Sequence, residues 1–391
     1  MGEVVEQHKS VSAVADGARD IAPMLGEGSG DPALSSDTES AGGGAGMGRR
    51  QRAWHGRGNI LWSLLALGLL LLVDLIFLRG FFHIEIKDGA LYGSLIDILN
   101  RGAPVMLLSL GMTLVIATGG IDLSVGAVMA ICGATAACLI ARPDYSPLSV
   151  INVHGSIFAV FLLSLVLGLV AGLWNGMLVA FLDLQPIVVT LVLMVSGRGV
   201  AQLLTSGQIP TFESPSFHFL GGGFFLGLPF PITIVAVVLV LMLLLTRTTA
   251  LGLFVESVGN NPVASALCGI NAKQVKLLVY GVSGLMAALA GMISTSDISA
   301  ADANNLGLNL ELDAILAVAI GGTSLVGGRF SLIGSVIGAL VIQTLETTIN
   351  TTGVPPATTL VIKSMVVVAV CLLQSETFRV KVRRLAGRRG V

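Results

Sequence analysis

Charge is scarce in this sequence. Charged residues fill 12% of its 391 positions, about half of the roughly 25% usual in soluble domains. Aromatic residues supply only 5%. Together with 54% hydrophobic residues and a mean hydropathy of +0.88, this scarcity excludes an ordinary soluble globular chain. Neither sign of charge is in overall excess. The formal net charge is -1, so nothing in the balance points to nucleic acid. Cysteine is rare, and Cys132, Cys138, Cys268 and Cys371 show neither CxxC nor Cys/His metal spacing; they read as small apolar packing residues. Walker A, nucleophile-elbow and paired catalytic motifs are missing as well. No catalysis, cofactor or energy coupling is therefore assigned to this chain. Were a chain like this to move a solute, the movement would be either passive or driven by a partner.

What is abundant is apolar length. Runs approaching the ~20 residues needed to cross a bilayer recur from about residue 60 onward. They are continuous rather than alternating, which favours helices over barrel strands. The expected class is an all-α polytopic membrane protein. Spanning segments are predicted at 60–78, 97–117, 122–141, 156–182, 186–206, 230–246, 276–296 and 357–374, with 311–350 ambiguous. Residues 1–58 are rich in Gly, Ser and acid without apolar periodicity, and are expected to be a disordered cytoplasmic tail with no cleaved signal peptide. The membrane region is 59–376, and 377–391 forms a basic C-terminal tail.

Orientation follows from basic clusters at both ends. Arg49, Arg50, Arg52 and Arg57 precede the first span, and Arg379, Lys381, Arg383, Arg384, Arg388 and Arg389 follow the last. The positive-inside rule places both termini in the cytoplasm, so the number of passes is even. Two short passes in 311–350 bring the total to about ten. The same parity puts the loop 247–275 in the cytoplasm, together with two breaks, "TGGIDLSVG" at 118–126 and "IGGTSLVGG" at 320–328. Both carry Gly-Gly-x-x-Leu-x-x-Gly, aligned as 119–126 with 321–328, which reads as a weak internal repeat of a kind common in transporters. Chance likeness between Gly-rich turns is the competing reading. Gly119, Gly120, Gly321 and Gly322 are the turn residues. Asp122 is expected to accept N–H bonds from Ser124 or Gly126 at the start of the following helix.

The loop 255–276 is the most legible stretch outside the spans. Asn261 is placed to cap a helix that opens on Pro262, with Val263, Ala266 and Leu267 on one face. Gly269 supplies the left-handed stop, and Asn271 caps the next helix. Such a short, exposed helix suits docking into a groove on another protein. Within the spans, Asp74, Asn175, Arg198, Glu346 and Lys363 are polar groups at membrane depth. They read either as pathway residues or as structural ones, for example Lys363 paired with Glu346.

Three stretches together resemble the permeases of bacterial ABC sugar importers of the ribose/galactose/xylose type. They are "GMTLVIATGGIDLSVGAVMA" (111–130), "VGNNPVASALCGINAKQVKLLVYGVSGLMAALAG" (258–291) and "LDAILAVAIGGTSLVGG" (312–328). The likeness extends over about 60–376, and "SGRGVAQLLTSGQIPTF" (196–212) is most similar to the galactofuranose-importer branch. The long N-terminal extension departs from the family pattern. The resemblance implies the vitamin B12-type (type II) importer permease fold, in the inner membrane. It also implies partner ATPases that hold ATP and Mg, a periplasmic sugar-binding protein, and a second permease, either a paralogue or another copy. Glu256, Gly259, Asn260, Pro262, Ala264, Gly269 and Asn271 become the ATPase-coupling residues. A sugar pathway needs neutral hydrogen-bonding groups and few fixed charges; Asn175, Arg198, Gln202, Asn309 and Gln343 are the candidates. The alternatives are a partner-independent secondary carrier or channel, and a membrane anchor or sensor scaffold.

Overall fold

The structure, a computed structural model, describes residues 47–77, 81–87, 89–150 and 156–352, with helical positions 358, 361, 363–365 and 368 beyond them; side chains are described from Leu61 onward. The C-terminal tail 377–391, most of the N-terminal tail, most of the span at 357–374 and Cys371 lie outside the described residues. The chain divides into Met1–Arg50 and Gln51–Val391. Every contact below belongs to the second unit.

The helices are α1 (Met47–Phe77), α2 (Ser94–Ala117), α3 (Val125–Ala141), α4 (Ile157–Phe181), α5 (Pro186–Leu204), α6 (Pro215–Gly222), α7 (Phe230–Thr248), α8 (Leu251–Asn260), α9 (Pro262–Leu267), α10 (Ala272–Ile298), α11 (Leu310–Ile320) and α12 (Leu332–Thr351). The backbone of α1 starts at Met47, inside the stretch 1–58 expected to be tail, because the helix of the first span continues back through the arginine-rich residues before it. Two small antiparallel hairpins, β1–β2 (Glu85–Lys87, Ala90–Tyr92) and β3–β4 (Phe224–Phe225, Leu228–Pro229), touch through a Leu91 N–H bond to the Gly227 carbonyl at 2.9 Å.

By length and composition, α2, α4, α5, α7, α10 and α12 are long and apolar enough to span a membrane. Two shorter apolar helices, Leu61–Ile76 within α1 and α3, accompany them. Burial sorts these helices into layers. The apolar window of α2 is 83% buried, against 22% for α4, α5 and α7, so α2 forms the centre and the other three present their apolar faces outward to lipid. The ambiguous region 311–350 folds as two helices, α11 and α12, on either side of the second break. The chain thus reverses between two ends. One, the break end, carries residues 118–120, 249–271 and 321–331; the other, the hairpin end, carries β1–β4 and α6, and from it the loop 299–309 runs back into the bundle, where Gly307 meets Gly126.

Small residues set the closest helix contact. Gly168, Gly172 and Gly176 line one face of α4 at four-residue spacing. A Cβ on Gly172 would run into the Tyr280 carbonyl and the Gly281 and Gly284 backbones of α10, and one on Gly284 into the Gly168 carbonyl. In lipid, where packing rather than water drives association, such close approach is the main source of helix adhesion. Gly172→Leu should therefore force α4 from α10 and cost about 1–3 kcal/mol. The check is a lowered thermal midpoint of the detergent-solubilised chain.

Candidate functional site

At the first break, α2 ends in a Schellman turn. Gly119 takes φ +80°, and the Gly120 N–H reaches back to the Val115 carbonyl at 3.0 Å. Gly120 does not have a positive φ; it is small because a Cβ there would lie 2.5 Å from the Tyr280 hydroxyl. Asp122 follows, fully buried, and accepts three bonds: the Ser124 N–H at 3.1 Å, the Ser124 hydroxyl at 2.6 Å and the Ser283 hydroxyl of α10 at 2.8 Å. Ser124 in turn accepts the Asn175 amide of α4 at 2.8 Å. The carboxylate therefore joins the break to α10 directly and to α4 through Ser124. Ser124, not Gly126, supplies the backbone donor; Gly126 lies where a Cβ would strike Glu311 and the Gly307 carbonyl.

The second break repeats the turn. Gly322 takes φ +81°, and the Thr323 N–H reaches the Val318 carbonyl at 3.3 Å. This pairs Gly119 with Gly322 and Thr118 with Gly321, one residue out of the register that the glycine motif suggests. The reason is that the Schellman glycine is set by its distance from the helix end, not by the pair of glycines. The two breaks touch: the Gly328 N–H bonds the Ala117 carbonyl at 2.8 Å.

Against that contact lies the C-terminal end of α8. A Cβ on Gly259 would collide with both the Ala117 carbonyl and the Gly328 N–H, one on Gly327 would come 2.9 Å from the Gly259 carbonyl, and one on Gly328 would come 2.6 Å from Asn260 Oδ1. Asn260 also donates to the Glu256 carbonyl at 2.8 Å. Beyond this junction the caps fall where the sequence places them. Asn261 Oδ1 accepts the Ala264 N–H at 3.0 Å, Asn271 Oδ1 accepts the Gln274 N–H at 3.2 Å, and Gly269 has φ +83°. In α9 only Ser265 is buried; Val263 is 72% and Leu267 86% exposed. Pro262 opens this helix at its first position.

The five pathway candidates do not converge: Arg198, Gln202 and Asn309 meet at the loop 299–309, and Asn175 and Gln343 lie apart from it. Asn175 belongs to the Asp122 network. Arg198 Nη1 bonds the Ala303 and Leu306 carbonyls at 3.2 and 2.5 Å, and Gln202 bonds Asn304 Oδ1 at 2.6 Å, so both hold the loop 299–309. In that loop, burial pushes the Asp302 carboxyl upward. Bonds from Asn305 and the Asn304 N–H, with the Arg198 charge, outweigh it and hold the acid below its usual value. Asn309 takes a left-handed conformation ahead of α11 without a side-chain cap. Gln343 lies elsewhere, in a cavity of about 440 Å³ at the hairpin end, between α2, α10 and α12.

That cavity holds groups that sequence reasoning missed. Asp97 and Arg101 of α2, Ser294 of α10 and Asn350 of α12 line it beside Gln343 and Glu346. The i, i+4 spacing of Asp97 and Arg101 is visible in the sequence, but nothing there brings α12 opposite them. Glu346 stands 3.6 Å from Lys363, which bonds Asp313 of α11 at 2.7 Å. Asp313, from the ambiguous region, is thus the nearer partner of Lys363. Asp74 of α1 accepts the Thr348 hydroxyl at 2.8 Å and ties α1 to α12.

Comparison with known proteins places these elements in context. The family model described as branched-chain amino acid transport system / permease component matches residues 94–371. The galactofuranose transporter permease of Escherichia coli K12 is 53% identical over 81% of this chain and 89% of that protein. The fructose import permease of Bifidobacterium longum is 39% identical over 81% and 88%. The ribose import permease of Bacillus subtilis is 35% identical over 72% and 84%. No solved structure matches.

Proposed function

The chain belongs to the branched-chain amino acid transport system / permease component family of multi-pass membrane proteins, with sugar import permeases among its relatives, and from that membership we propose that it is the permease subunit of an ATP-driven sugar importer. In this reading it forms the passage for a monosaccharide of the galactofuranose type, or another hexose or pentose, and pairs with a second permease. ATP and Mg belong to separate ATPase subunits. A sugar-binding protein docks at the hairpin end, which faces the periplasm across a bacterial inner membrane, and the break end and both termini face the cytoplasm.

The proposed fold is the type II importer arrangement with ten passes: α1, α2, α3, α4, α5, α7, α10, α11, α12 and the apolar stretch 357–374. At 1.5 Å per residue α11 covers roughly 16 Å, so the second break completes its crossing. One observation carries the reading. The exposed α9, with Val263 and Leu267 outward, continues from α8, whose Gly259 lies against the contact between both breaks. A partner gripping α9 would therefore pull on the ends of α2 and α11 together. ATP binding would close the ATPases, move α8 and α9, and switch the side to which the bundle opens.

Ala264 is exposed on α9, so Ala264→Asp should spare membrane insertion while weakening ATPase capture. Co-purification of the ATPase should fall about tenfold or more, since a charge would be desolvated in an apolar groove. Unchanged co-purification and uptake would remove α9 from the mechanism.

A further inference from the structure

We propose that the cavity between α2, α10 and α12 is a binding subsite for an uncharged monosaccharide within the permease itself. The proposal rests on the sugar-permease reading and says where in this chain the sugar pauses. The volume of about 440 Å³ falls within the roughly 300–1,000 Å³ of small-molecule sites. Gln343, only 6% exposed, forms the floor with Pro104 and Val105, while Asp97, Arg101 and Asn350 form an exposed rim.

The chemistry of the lining fits a polyol. Asp97 and Glu346 accept from hydroxyls, Arg101 donates, and Gln343 and Asn350 do both. Pro104 and Val105 offer an apolar wall for the C–H face of a ring. Opposite charges alternate: Asp97 and Arg101 lie one turn apart on α2, and Glu346 faces the Lys363 cation. An anionic sugar ester would meet two carboxylates and a single arginine, whereas a neutral sugar meets only hydrogen-bonding partners. The placement also connects the subsite to the break end. Of the helices lining it, α2 ends at the first break and α12 starts after the second.

The test places a reporter in the lining. Asn350→Cys, on the exposed rim of the cavity, is made in a Cys268→Ser, Cys371→Ser background, and the full chain, assembled with its ATPase in membrane vesicles, is treated with a polar methanethiosulfonate. Galactose, fructose and ribose are the probes, with leucine as the control. The expected result is that at least one sugar slows labelling about tenfold, that leucine does not, and that adding Gln343→Leu abolishes the protection without changing the sugar-free rate. A parallel uptake assay with the binding protein separates two failures. Sugar uptake without protection overturns the subsite and leaves the permease reading standing, as does protection by leucine alone. Uptake of none of the three sugars overturns both. Should the cysteine variant fail to insert, Gln343→Leu alone must raise the KM for uptake about tenfold; an unchanged KM overturns the subsite.

Discussion

Gly259→Leu is expected to abolish coupled uptake while the chain still inserts into the membrane. A leucine Cβ has no room at this position, because the Ala117 carbonyl and the Gly328 N–H that bonds it at 2.8 Å both stand in its way. Relief requires α8 to lift away from both breaks, and it also breaks the bond that joins them. Overpacking of this kind costs about 1–3 kcal/mol, small enough for the bundle to persist. The loss in uptake should be far larger than that cost suggests, at least about tenfold, because the displaced contact is the proposed link between ATPase and passage. ATP hydrolysis should continue, uncoupled. Gly68→Leu provides the control: a Cβ there meets nothing within 4 Å, and uptake should stay within about twofold of the parent. Wild-type uptake by Gly259→Leu would dissolve the junction as a mechanical element.

Asp122→Ala should produce the largest loss of stability of any single change at the first break. It removes the acceptor for the Ser124 N–H, the Ser124 hydroxyl and the Ser283 hydroxyl, all buried. Each orphaned buried group costs about 1–3 kcal/mol, with partial relief by rearrangement, so the sum is on the order of 3 kcal/mol. Asp122→Asn keeps one carbonyl oxygen for Ser124 and should lose only about 1 kcal/mol. Thermal unfolding of the solubilised chain distinguishes the two, and an alanine variant as stable as the parent would contradict the network.

What the sequence makes legible here is local. Asn261, Asn271 and Gly269 act within three or four residues of themselves, and their roles follow from capping chemistry alone. The apolar runs mark most spans because lipid imposes a minimum length. The rest depends on which helices face one another. Asn175 and Ser124 are 51 residues apart and meet only because α4 packs beside the first break, which Asp122 ties to α10. Asp97 and Arg101 look like ordinary polar residues at a helix start until α12 brings Gln343 opposite them. The repeat of the two breaks is visible in sequence, but its register is displaced by one residue, since paired glycines draw the eye while the turn counts from the helix end. Lys363 shows the same limit: Glu346 is the apparent partner, and Asp313 turns out nearer because α11 ends up beside the last helix.

The central claim is that this chain is the passage of a partner-driven sugar importer. Radiolabelled sugar uptake into proteoliposomes tests it most directly, with the purified chain alone or with its second permease, ATPase, binding protein and ATP. Accumulation is expected only in the complete system, and is lost when ATP is withheld. Flux of the same sugar through the chain alone would contradict it and make the protein a self-sufficient carrier or channel.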